Sequence, residues 1–171
     1  MKKLITLFTI AGILLMLSSC EDGLTLRFDA NFKVNMNIDV EDTGKGDTFP
    51  FSETQTLNIE DDKEVAKQIE KIKELDITEI ECEVTGIPSG QSIPLLKMYV
   101  EEIDLTVTLE DITENHIITL PISDDLLNAL SNYLFENHQA TVTVSGESTY
   151  APMVLGVKLT FKSKVAASIE Q

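Results

Sequence analysis

From Leu24 to Val40 an apolar residue stands at every even position: Leu24, Leu26, Phe28, Ala30, Phe32, Val34, Met36, Ile38 and Val40. Thr25, Arg27, Asp29, Asn31, Lys33, Asn35, Asn37 and Asp39 fill the odd ones. A period of two puts all apolar side chains on one face of an extended chain, whereas a helix would scatter them around its axis. The run therefore predicts a half-buried strand, or two strands with a bend, lying against a core.

The same pattern recurs along the chain. Phe49, Phe51, Leu57 and Ile59 mark a second strand after the Gly- and Asp-rich turn at 41–47, with Pro50 near its start, where proline is tolerated. Further strands are expected from Ile77 through Ile80, Cys82 and Val84, and from Leu95 to Leu109. In the latter, parity changes between Val100 and Ile103, which predicts a bulge near Glu101-Glu102. Ile118, Leu120 and Ile122 suggest a short strand, Ala140, Val142 and Val144 another, and Met153 to Ile169 a long last one, interrupted at Ser163. Two segments have helical spacing. Val65, Ile69 and Ile72, with Leu75, form a narrow stripe behind Asp61 as cap and Glu64 as its capping-box partner. Leu126, Leu127, Leu130, Tyr133 and Leu134 follow Ser123, a second candidate cap.

About seven alternating strands and two short helices predict a mainly β chain, an antiparallel two-sheet sandwich of immunoglobulin-like type spanning residues 24–171. Parallel βαβ packing would need near-continuous apolar strands, which the sequence lacks. The chain has 171 residues, too few for two comfortable domains and enough for one core that needs neither metal nor disulfide.

The first twenty residues follow other rules. Met1-Lys2-Lys3 precedes an apolar run from Leu4 to Leu17, too short for a spanning helix, and Leu17-Ser18-Ser19-Cys20 closes it. The tetrad resembles the lipobox of bacterial lipoproteins. That resemblance implies a signal peptide at 1–19, cleavage between Ser19 and Cys20, and acylation, including palmitate, of Cys20 as the first mature residue. Residues 20–23 then form a short tether, and Glu21-Asp22 is similar to the acidic signal of Bacteroidetes-type surface lipoproteins. The implied location is a bacterial envelope, at the outer membrane, on its periplasmic or surface face. More than one acyl chain makes such an anchor stable. The last third resembles the type-2 late-embryogenesis-abundant sandwich, in which a short Leu-rich helix precedes two C-terminal strands; here these are Leu126–Leu134, Thr141–Gly146 and Val154–Phe161.

Charge narrows the partners. The chain has 13 Lys+Arg against 29 Asp+Glu; removing residues 1–19 takes Lys2 and Lys3 and leaves a formal charge of −18. A phosphate-backbone binder is excluded, since nothing would release counterions from nucleic acid. Anionic lipid would also repel this domain, so membrane attachment falls to the acyl chains.

Residues with chemical potential are few. Cys82 shares parity with Ile80 and Val84 and reads as a buried, inert thiol among Glu79, Glu81 and Glu83. His116 and His138 fall in expected turns, too far apart in sequence for a zinc pair. Asp39, Glu41, Asp42 and Asp47 could offer oxygens to Ca²⁺ but lack the order of an EF-hand loop. No serine sits in a nucleophile elbow and no phosphate loop is present. No catalytic residue, metal site or cofactor is expected. Lys158, Lys162 and Lys164 share the outward parity of the last strand, which predicts either protection of an exposed edge or a docking face for an envelope protein partner. The expectation is a non-catalytic, lipid-anchored interaction or structural module. The alternatives are a carrier of an apolar ligand between the sheets and a hydrolase using a carboxylate pair.

Overall fold

The computed structural model describes residues 24–43, 46–113 and 115–169. They form eight strands: β1 (Thr25–Val40), β2 (Phe49–Asn58), β3 (Ile72–Thr85), β4 (Ile93–Val100), β5 (Leu105–Ile112), β6 (His116–Thr119), β7 (Gln139–Ser148) and β8 (Met153–Ser168). Helix α1 (Lys63–Gln68) joins β2 to β3, and α2 (Asp124–Asn137) joins β6 to β7.

Two antiparallel four-stranded sheets result, ordered β1-β8-β3-β6 and β2-β7-β4-β5. First pairs with last, second with seventh, third with sixth and fourth with fifth. This nesting is the order of a jelly roll. It corrects the immunoglobulin-like connectivity expected above, whose seven strands divide into different sheets. It also places β7 and β8, the two C-terminal strands of the late-embryogenesis resemblance, in opposite sheets.

The alternation does what its period requires. In β1 the even residues from Ala30 to Val40 are buried and the odd ones exposed. β1 runs beside β8 for 16 residues, from Thr25 opposite Ser168 to Val40 opposite Met153, and sets Phe32 directly against Phe161. Leu57, Ile59, Ile93, Leu96, Met98 and Leu105 fill the other side of the core. Among the described residues every buried side-chain nitrogen or oxygen has a hydrogen-bond partner. Ser163, the break in the apolar row of β8, donates to the Ala30 carbonyl oxygen at 3.0 Å.

Five local expectations need correction. The long strand from Leu95 to Leu109 is a hairpin: a 3-10 turn at Glu101–Ile103 and Asp104 at φ 51° reverse the chain between β4 and β5. A bulge and a reversal both change parity, so the pattern does not separate them. Helix α1 is only six residues long and is flanked by 3-10 turns; Ile72 and Leu75 belong to β3. Its cap is Asp62, not Asp61: the Asp62 carboxylate accepts from the amides of Glu64 and Val65 at 2.9 and 3.2 Å. Ser123 occupies the cap position of α2 without a side-chain capping bond. Finally, Leu24, Leu26 and Ile169 carry core parity but are exposed by 60%, 39% and 42%.

Candidate functional site

The outer face of the β1-β8-β3 layer gathers the lysines singled out from sequence with the glutamates of β3. Lys158, Lys162 and Lys164 lie on β8, between β1 and β3. β8 is therefore an inner strand, and these lysines do not protect an edge. Their neighbours on β3 are acidic: register sets Lys158 beside Glu83, Lys162 beside Glu79 and Lys164 beside Asp76. Lys158 Nζ meets Glu83 Oε2 at 2.6 Å. Lys162 Nζ meets both Glu79 Oε1 and Glu81 Oε1 at 2.7 Å. Hydrogen bonding to Glu79, then to Glu81, raises the Lys162 pKa above its ordinary value. Lys164 is exposed and stands between Asp29 and Asp76 in register. The clustering of lysines thus answers the clustering of acids one strand away. The face is a charge-paired surface rather than a basic one.

Across β8, the β1 side of this face carries Asn31, Asn35 and Asn37 opposite Lys162, Lys158 and Gly156. Gly156 leaves a depression of about 310 Å³ lined by Asn35, Asn37, Glu83, Thr85 and Lys158, open to solvent. A second, of about 260 Å³, lies toward the start of β1 among Arg27, Asp29, Glu74, Asp76 and Lys164. Both lie on the outside of the sheet. The space between the sheets, where an apolar ligand would sit, holds packed side chains such as Phe32, Phe161 and Met98.

The other chemical groups are placed singly. Cys82 is fully buried, and burial pushes its thiol pKa up to about 12. It is a free thiol. His116 opens β6 and is exposed. His138 ends α2 in the left-handed conformation, φ 62°, with Nδ1 3.3 Å from Glu60 Oε1. Asp39 ends the exposed row of β1, while Glu41, Asp42 and Asp47 lie in the connection that follows. Among the described residues no group of three His, Cys, Asp or Glu is arranged to hold a metal ion. Ser19 and Cys20 lie outside the described residues.

Two features were not anticipated. Ser131 of α2 is buried, donates to the Leu127 carbonyl oxygen at 2.7 Å and accepts from the Ile77 amide at 2.8 Å. It thereby satisfies β3 where its ladder with β8 shifts register between Ile77 and Glu79. A lone serine among leucines on a core-facing helix was the available signal. The second is the exposed apolar end at Leu24, Leu26 and Ile169, which parity alone assigns to the core.

No family model matches the chain, and no curated protein matches it. Among solved structures, the decameric BFDV capsid protein is similar at 13% identity and a TM-score of 0.47, over 83% of this chain and 98% of that one. The Mud crab tombus-like virus structure is similar at 8% identity and a TM-score of 0.48, over 87% and 83% of the two chains. Desmodium yellow mottle tymovirus gives 5% identity and a TM-score of 0.40, over 88% and 91%.

Proposed function

We propose that this chain is a lipoprotein of a bacterial envelope, held at the outer membrane by acyl chains on Cys20, with its sandwich serving as a non-catalytic interaction or structural module. The observation that carries the reading is Leu17-Ser18-Ser19-Cys20 at the end of a Lys-led apolar run. The state of the groups a catalyst would use supports the second half. The Cys82 thiol is buried and held protonated. The hydroxyls of Ser131 and Ser163 donate to backbone carbonyls. Glu79, Glu81 and Glu83 are engaged by lysine ammonium groups. An envelope protein is the partner we assign, docking on the charge-paired face of β1, β8 and β3.

Cells fed labelled palmitate test the anchor. The parent chain is expected to take up label and Cys20→Ala to take up none; label on the mutant would overturn the reading. Crosslinking in intact cells tests the docking face. Lys164→Glu, on the exposed part of that face, is expected to weaken capture of the partner in a salt-dependent way. An unchanged set of crosslinks would move the interaction elsewhere, to the loop at 85–91 first.

A further inference from the structure

Along the inward row of β1, exposure falls from 60% at Leu24 and 39% at Leu26, through half-buried Phe28, to 2% at Ala30. The row keeps its apolar side chains past the point where the core covers them. β8 ends at the same place: Leu26 faces Ala167, and the Ile169 amide donates to the Leu24 carbonyl oxygen at 2.8 Å. Leu24, Leu26 and Ile169 thus make one exposed apolar end, at the point where the described chain begins. Arg27 follows Leu26 and faces Ala166 on β8, and Glu74 of β3 faces the same Ala166 from the other side, so its immediate surroundings are mixed in charge within an otherwise acidic molecule.

Cys20 is four residues from Leu24. Fully extended, that stretch spans about 14 Å at most. We propose that the apolar end formed by Leu24, Leu26 and Ile169 rests on the surface of the bilayer that holds the acyl chains of Cys20. The inference builds on the anchor reading and adds an orientation: the strands of the β1-β8 pair stand with this end toward the lipid. The tether keeps the local concentration of lipid surface high, so three partly exposed side chains suffice for contact that they would not sustain in a freely diffusing protein. The mixed charge and the acidity of the whole favour uncharged or zwitterionic headgroups.

The chain contains no Trp, so a single introduced tryptophan reports without background. The mature protein, purified after processing in the bacterium, would be reconstituted in phosphatidylcholine vesicles with and without brominated acyl chains. Leu26→Trp is the probe. Val154→Trp is the control, 56% exposed and 13 residues further along β8 from Ala167, a distance of about 43 Å. The expected result is a blue-shifted Leu26→Trp emission that brominated lipid quenches roughly twofold or more, as for side chains at the acyl boundary, with Val154→Trp unaffected. Labelled palmitate on the same samples scores the anchor separately. Label with no quenching at either position overturns the orientation and leaves the anchor standing. Equal quenching at both shows a domain lying flat and also overturns it. A blue shift without vesicles that grows with protein concentration assigns the apolar end to a second copy instead. Absence of label overturns the anchor, and the orientation with it.

Discussion

Between Ile80 and Val84, Cys82 points into the core and is fully buried. Burial alone moves its pKa from 9.0 to about 12. An unfolded chain releases this proton near pH 9, whereas the folded chain retains it to about pH 12, so the unfolded state holds fewer protons in that window and stability falls with rising pH, by about 1.4 kcal/mol per unit. Stability from urea unfolding at a series of alkaline pH values is expected to fall more steeply in the parent than in Cys82→Ala by about this slope, measured against each protein's own value at neutral pH. The same burial should keep thiol reagents away until the chain unfolds. Rapid labelling of the native protein would contradict both.

At the level of elements, the cap of α1 separates what alternation reveals from what it hides. Asp61→Ala should be nearly silent, while Asp62→Ala should cost about 0.5–2 kcal/mol, since only Asp62 accepts the first amides of the helix; urea midpoints of the two variants decide it. Ser131→Ala should cost more, about 1–3 kcal/mol, because it leaves the Ile77 amide buried without an acceptor. Amide exchange at Ile77 should speed up in that variant while exchange at Phe32 changes little. The strands and their inward faces were legible because one side chain in two had to be apolar. The buried rows of β1, β7 and β8 follow that rule almost residue for residue. Chain reversals were less legible. At Glu101–Asp104 the outward sign of a tight turn, a change of parity, is the same as that of a bulge, and only the pairing of Val100 with Leu105 distinguishes them. Pairing between distant strands leaves no local trace, which is why the nesting of β1 with β8 was not foreseen. The lysines of β8 take the outward parity of the strand, which says nothing of their neighbours; only the pairing with β3 brings Glu79, Glu81 and Glu83 to them.

For the whole molecule, the decisive strand is β8. It lies between β1 and β3 and hydrogen-bonds to both. A chain ending at Thr149 keeps seven of the eight strands but loses the connection between β1 and β3. It is expected to show no cooperative urea transition, in contrast to the full chain, and circular dichroism through the titration measures the difference. The same placement has a consequence in time. β8 follows the other seven described strands along the chain, so on a ribosome adding about 5–20 residues per second β1 and β3 wait for their shared neighbour until all seven have been made. Its contacts with β1 join the first and last of the described strands, and such long-range pairing slows folding. Until β8 arrives, β1 and β3 have no shared neighbour, and the first sheet stays open.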